Sequence, residues 1–178
     1  MNQVIICGDC GDRELTAAVV RACCRYGGAF VCDGTSVYET GKAPEFCIVS
    51  VNSLSEVSCG GVLIFGQALC QLRPHLPIGN VIPMADSGNS EALSLLCSIG
   101  KPVIGCSMSG SDTLSLSCRR DGEGLVCLQR CLRTVSGRLL EPCEFSFSAP
   151  PAIPIFPLLA ACGVLLLFDI PFEQGYHF

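Results

Sequence analysis

Short apolar runs bounded by glycine, proline or asparagine recur through the first two thirds of the chain. They are QVIIC (3–7), AFVC (29–32), FCIVSV (46–51), GVLIF (61–65), NVIPM (80–84) and PVIGC (102–106). Continuous apolar runs of this length are typical of parallel strands that are covered on both faces. A helix is predicted from Asp12, a candidate N-cap, to Tyr26, and another from Asn89 or Ser90 to Gly100. The alternation predicts an α/β fold with a mostly parallel, P-loop-NTPase-like sheet that carries helices on both faces.

The pattern changes after residue 111. Residues 112–118 alternate between apolar and hydroxyl side chains, and residues 124–147 place Ser136-Gly137 between two strand-like runs. Such a pattern predicts a small antiparallel β extension with a hairpin. We therefore expect a single domain over residues 1–178, with an α/β core (1–111), the antiparallel extension (112–148) and a closing helix with its tail (149–178).

The segment 151–168, PAIPIFPLLAACGVLLLF, carries no charge. Its length is at the short end for a membrane span, and Pro154 and Pro157 interrupt its first third. No lysine or arginine flanks it, whereas Asp169 and Glu173 follow. We expect a buried core helix over 157–168 rather than a membrane segment.

Charge and cysteine usage limit the function classes. The net charge is −5 and the only lysines are Lys42 and Lys101, so no basic face for nucleic acid is expected.

The fifteen cysteines are an odd number and no signal peptide is recognised, which favours a reduced, cytoplasmic protein. Cys47, Cys97 and Cys162 lie in apolar runs, where cysteine packs as a small hydrophobic residue.

Cys7-Gly8-Asp9-Cys10 is a C-x-x-C motif. In a chain this rich in cysteine, we favour a packing role for Cys7 and Cys10, with a redox pair or a metal site as alternatives. No second cysteine pair follows at zinc-ribbon spacing, and His75 and His177 are isolated. We therefore predict no metal site.

The loop GDCGDRE (8–14) lies between the first predicted strand and the first predicted helix. A strand, a glycine-containing turn and a helix form the usual setting of a phosphate-binding loop, because backbone N–H groups and the helix N-terminus attract phosphate. Carboxylates crowd this loop, however, and it contains no lysine.

Three segments together resemble the central, ATP-binding domain of the Mur ligases, the amide ligases that build peptidoglycan, and of their folylpolyglutamate synthase relatives. Residues 4–35 resemble the strand, P-loop, helix and second strand of that domain. Residues 80–117 resemble its late strand, helix and antiparallel flap, and residues 150–173 its closing helix. The resemblance implies two further ligase domains, for UDP-substrate and amino-acid binding, which we expect this chain to lack.

The resemblance also implies where the catalytic groups should be. Gly8 and Gly11 match the P-loop glycines, but Asp12 stands at the lysine position and Arg13 at the hydroxyl position. The position of the Mg²⁺-binding glutamate falls near Ser50, and no acid lies between Phe46 and Ser55. The vestigial nucleotide-binding candidates are therefore residues of this loop and one aspartate near the nucleotide base: Gly8, Asp9, Cys10, Gly11, Asp12, Arg13 and Asp86.

These replacements oppose phosphate binding. A like-charge pair at 4 Å costs about 4 kcal/mol at an effective dielectric near 20, whereas the helix dipole contributes only about 0.3–1 kcal/mol. We therefore expect a degenerate Mur-ligase-like domain that is not an enzyme, has no catalytic residues and needs no cofactor. It would act as a regulatory or scaffold module on an unknown protein partner or a second copy of itself.

An alternative is residual binding of an ATP-like nucleotide or small ligand at residues 8–14, with Asp9, Asp12 or Glu14 holding a metal such as Mg²⁺. Asp86 also has two interpretations. The resemblance implies that it belongs to a turn near the nucleotide base. It also fits an ordinary turn before a helix, in which its side chain accepts hydrogen bonds from free backbone amides. We favour the turn.

Overall fold

The computed structural model describes residues 1–8, 12–41, 43–66 and 77–178. The helices are α1 (Arg13–Arg25), α2 (Ser90–Ser98) and α3 (Ile155–Leu167). The strands are β1 (Asn2–Cys7), β2 (Ala29–Cys32), β3 (Val37–Thr40), β4 (Phe46–Val51), β5 (Gly61–Phe65), β6 (Val81–Asp86), β7 (Ile104–Ser107), β8 (Leu114–Arg120), β9 (Glu123–Leu128), β10 (Leu132–Arg133), β11 (Leu139–Leu140), β12 (Cys143–Ser148) and β13 (Tyr176–His177).

The larger sheet contains eleven strands in the order β13-β12-β9-β8-β7-β6-β5-β1-β4-β2-β3. Within this order, every pair of neighbouring strands in the stretch β8-β7-β6-β5-β1-β4-β2 is parallel. The predicted α/β fold with a mostly parallel sheet is therefore confirmed. Because β1 lies between β4 and β5, the segments that leave these three strands meet at one carboxyl edge of the sheet.

The antiparallel part is larger than the sequence pattern indicates. Ser136-Gly137 lies in the turn that joins β10 to β11, as expected, but β9 and β12 flank this hairpin and pair with each other in the main sheet. Two edge strands were not predicted. The side chains of β3 are mostly exposed and carry no apolar alternation, and β13 has only two residues.

Helix α3 is apolar on every side, and each residue from Phe156 to Leu167 is buried. It packs against α1 and against β5 to β8. The aromatic ring of Phe168 meets Phe46 edge-on, with ring centroids 5.8 Å apart. No helix in the described ranges is long and apolar enough to cross a membrane. The expected buried helix is present, and it begins two residues before the predicted start.

The thirteen cysteines in the described part of the chain form no disulfide. Cys162 is buried, as its apolar setting predicts, and Cys47 is half-buried. For Cys97 the prediction is wrong, because its side chain is exposed. Ala92 and Leu96 are the residues that α2 buries, and a residue directly after Leu96 is rotated by about 100° away from that face.

Truncation of a buried α3 side chain tests the fold. Leu159→Ala should lower the free energy of unfolding by about 2–5 kcal/mol, because it leaves a cavity in the core. Met108→Ala, at a side chain that is 67% exposed, is the matched control and should change it by less than about 0.5 kcal/mol. Urea unfolding measures both, and equal midpoints for the two variants would contradict the buried position of α3.

Candidate functional site

The loop that follows β1 leaves the sheet between its two neighbouring strands. The backbone N–H of Gly8 donates to the carbonyl of Val51 at the end of β4, over 3.1 Å. The backbone N–H of Gly66, just after β5, donates to the carbonyl of Cys7, over 2.8 Å. The predicted phosphate loop therefore starts at the carboxyl edge of the sheet, where open α/β sheets bind their ligands.

Asp12 is the N-cap of α1, as predicted, but its side chain makes no capping hydrogen bond. Its carbonyl accepts the first helical bond, from Thr16 N, at 3.3 Å. Its carboxylate lies against Gly66, where a Cβ atom would come within 2.5 Å of Oδ2. A carboxylate thus lies at the helix N-terminus, beside the start of the loop, and Arg13 follows as the first helical residue.

Asp9, Cys10 and Gly11 lie outside the described residues, so their predicted roles stay predictions. Cys7 is buried at the end of β1, and its pairing with Cys10 is likewise untested.

An open cavity of about 610 Å³ lies between α1 and the turn after β2. It brings Asp12 and Arg13 together with Ser50, the position at which the resemblance places the metal-binding glutamate. Among the described residues, the charged side chains that line this cavity are two arginines, Arg13 and Arg21, and two aspartates, Asp12 and Asp33. The same described lining includes no lysine, histidine or glutamate.

Asp33 shapes the far wall of this cavity. Its Oδ1 accepts hydrogen bonds from the backbone N–H of Thr35 (3.0 Å), the hydroxyl of Thr35 (2.8 Å) and the backbone N–H of Ser36 (2.8 Å). These donors favour the charged form, so they lower the pKa of the Asp33 carboxyl, with the Thr35 hydroxyl as the largest cause. The carboxylate therefore organises the β2–β3 turn.

Asp86 lies at the end of β6, further along the same edge. Its Oδ1 accepts from the backbone N–H of Gly88 at 2.8 Å, and its carbonyl accepts from Asn89 N at 2.9 Å. These contacts form the turn that leads into α2. Its second predicted role, near a nucleotide base, stays a prediction.

Asn89 connects α2 to the segment after β5. Its side chain is buried, its oxygen accepts from Ala92 N at 3.0 Å, and its amide donates to the carbonyl of Gly66 at 2.7 Å. The sequence predicted the cap but not the second bond, because nothing in the local pattern indicates a contact across 23 residues.

Asp112 joins the ends of β6 and β7. Its two oxygens accept from the hydroxyls of Ser87 (2.6 Å) and Ser107. Gly105 leaves the space for this contact, since a Cβ there would lie 2.8 Å from the Ser87 hydroxyl and 3.0 Å from the Asp112 carboxylate. The carboxylate thus has two hydroxyl partners, and in the described ranges no group of His, Cys, Asp and Glu side chains could hold a metal ion.

Comparison with known proteins shows the fold alone. No protein-family model and no curated protein matches this chain. The crystal structure of MurF ligase from Thermotoga maritima in complex with ADP is similar over 97% of this chain, with a TM-score of 0.54 and 11% sequence identity. The match covers 47% of that ligase chain, so this chain spans about half its length. The expected Mur-ligase-like fold is confirmed at that level.

Removal of the Thr35 hydroxyl tests the cause of the lowered pKa of Asp33. In Thr35→Val the carboxyl loses its strongest donor and keeps the two backbone donors, so its pKa should rise toward the usual aspartate range without reaching it. Because the folded-state pKa is lowered, the stability from this carboxylate is present above the unfolded pKa and is lost as the pH falls through the folded one. NMR titration of the side-chain carboxyl measures the pKa, and an unchanged value in the variant would contradict the assignment.

The double role of Asn89 gives a separate prediction. Asn89→Asp keeps a cap acceptor for Ala92 N but replaces the amide donor by an oxygen facing the Gly66 carbonyl. We expect the free energy of unfolding to fall by about 1–3 kcal/mol, the cost of a buried acceptor without its donor. Urea unfolding measures it, with the exposed neighbour Ser90→Ala as the control. Wild-type stability in Asn89→Asp would show that the Gly66 bond contributes nothing.

Proposed function

We propose that this protein is a catalytically degenerate Mur-ligase-like domain that acts in the cytoplasm as a non-enzymatic regulatory or scaffold module. One observation carries the proposal. Asp12, Arg13 and Ser50 line one cavity at the carboxyl edge, where the ligase chemistry implied by the resemblance needs a lysine, a hydroxyl and a glutamate. In this proposal the positions of the three catalytic groups are kept, but the residues that occupy them have the wrong charge or length.

Electrostatics supports the loss of nucleotide binding. A phosphate at the N-terminus of α1 would meet the Asp12 carboxylate, and that repulsion, about 4 kcal/mol at 4 Å, exceeds the attraction of the helix dipole. Arg13 offsets part of the repulsion, but it is exposed to solvent, where ion pairs contribute little.

An open sheet edge supports a role in partner binding. Strand β3 ends the eleven-stranded sheet, and the side chains of Val37 and Tyr38 are 63% and 40% exposed. An unpaired edge strand with apolar side chains is a common site for pairing with another chain. A partner protein or a second copy of this chain could occupy it.

The second candidate function is residual binding of a small ligand. The feature that favours it is the pair of cations on one face of α1, Arg13 and Arg21, in a cavity large enough for a nucleotide-sized molecule. In this alternative, Asp9, Asp12 or Glu14 would hold a metal that screens the phosphates.

Thermal unfolding with ATP and Mg²⁺ separates the two candidates. The proposal predicts an unchanged midpoint for the wild type at millimolar nucleotide. A ligand at ten times its Kd would stabilise the fold by about 1.4 kcal/mol, which raises the midpoint of a domain of this size by about 3–6 °C.

A variant with the P-loop groups restored makes this test specific. Asp12→Lys combined with Arg13→Thr places a lysine and a hydroxyl at the start of α1, and we expect it to gain a nucleotide-dependent shift. The control Glu141→Gln makes the same net change of charge, by one unit in the positive direction, at an exposed residue far along the chain and should gain none. A shift of several degrees in the wild type would overturn the proposal and favour the ligand-binding alternative.

A further inference from the structure

A second groove, of about 590 Å³, opens at the other edge of the sheet, where β6 and β7 begin. The segments before β6 and β7 form one wall, and the segment that contains β10 forms the other. Three cationic residues line it: Lys101, Arg130 and Arg133. The described residues of its lining include no aspartate or glutamate, although the chain as a whole has sixteen acids and eleven lysines and arginines.

Backbone carbonyls hold the three cations in place. Lys101 Nζ donates to the Gly79 carbonyl at 2.8 Å, and Arg133 Nη1 donates to the Gly137 carbonyl at 2.9 Å. Arg130 Nη2 donates in the same way to the carbonyl of Ser111, at 2.5 Å. A carbonyl orients a cation without neutralising it, and the ion pairs of the described residues include none of the three. Their charge therefore remains available to an anionic partner.

Apolar side chains also belong to this surface. Val103 and Val135 line the groove, and Val135 is 41% exposed. Leu139 of β11 pairs with Arg133 of the lining and is 55% exposed. A partner segment that carries both carboxylates and apolar side chains could contact both kinds of group.

We propose that this groove binds an acidic segment of a partner protein, in which carboxylates alternate with apolar side chains. The carboxylates would pair with the lysine and the two arginines, and the apolar side chains would cover the valines and the leucine. This inference rests on the proposed scaffold function and specifies the chemistry of its partner.

The other anionic ligands fit less well. Among the described residues no aromatic side chain lines the groove, so the bases of a single-stranded nucleic acid would have no stacking partner there. A free phosphate would leave the apolar part of the groove uncovered. An acidic peptide uses both kinds of surface.

Fluorescence anisotropy tests the inference on the full chain. The probe is a short labelled peptide in which glutamate and leucine alternate, and its matched control has glutamine in place of every glutamate. We expect saturable binding of the glutamate peptide, weakening as salt is added, and no binding of the glutamine peptide.

Charge-removing variants locate the site. Lys101→Gln, Arg130→Gln and Arg133→Gln should each weaken the peptide about two- to fivefold, since exposed ion pairs contribute up to about 1 kcal/mol, and the triple variant about tenfold or more. Arg120→Gln removes one charge at the exposed end of β8, outside the groove, and should leave the affinity unchanged. Circular dichroism of the triple variant confirms that it is folded.

Three results would overturn the inference: no binding of the glutamate peptide, equal binding of both peptides, or equal affinity of the triple variant and the wild type. If a single-stranded oligonucleotide bound more tightly than the glutamate peptide, the ligand of the groove would be nucleic acid, and this result would also overturn the inference. None of these results bears on the nucleotide test, which examines the opposite edge of the sheet. A negative result for peptide binding at the groove is therefore distinguishable from a result that contradicts the proposed function.

Discussion

The burial of α3 is the constraint on which the rest of the fold depends. This helix has no polar face, so every side must be covered: by α1, by strands β5 to β8 and by the tail with Tyr176. The segments around its end are also held by polar bonds. Val135 N donates to the Leu167 carbonyl, and the Asp169 carboxylate accepts from the hydroxyls of Thr134 and Ser136. Burial contributes about 1.5–3 kcal/mol for each large apolar side chain, so this helix is a large source of stability.

The covered core fixes the carboxyl edge of the parallel strands. β1 is held between β4 and β5, and Asp12 and Arg13 at the start of α1 share one cavity with Ser50 near the end of β4. The proposed function separates the backbone framework of this edge from its chemistry. In that proposal the framework is kept, and Asp12 stands where a phosphate would need a cation.

The sequence was most informative where most side chains of a segment are buried or half-buried. The six apolar runs and α3 were predicted because an apolar segment of this kind leaves a composition signal that does not depend on distant partners. The exposed β3 and the two-residue β13 leave no such signal, since their strand form depends on pairing with β2 and β12. The same reason explains the site. The candidate residues of the loop 8–14 are adjacent in the sequence, but the bonds from Asn89 to Gly66 and from Asp112 to Ser87 join segments far apart in the chain.

The central claim is that the carboxyl edge has kept its shape and lost its affinity for phosphate. Backbone amide NMR of the wild type during an ATP–Mg²⁺ titration tests it most directly, because Gly8, Asp12 and Gly66 report on this edge residue by residue. We predict that their resonances stay in place at millimolar nucleotide. Saturable shifts confined to these amides would contradict the claim, since they would place a bound nucleotide at the start of α1.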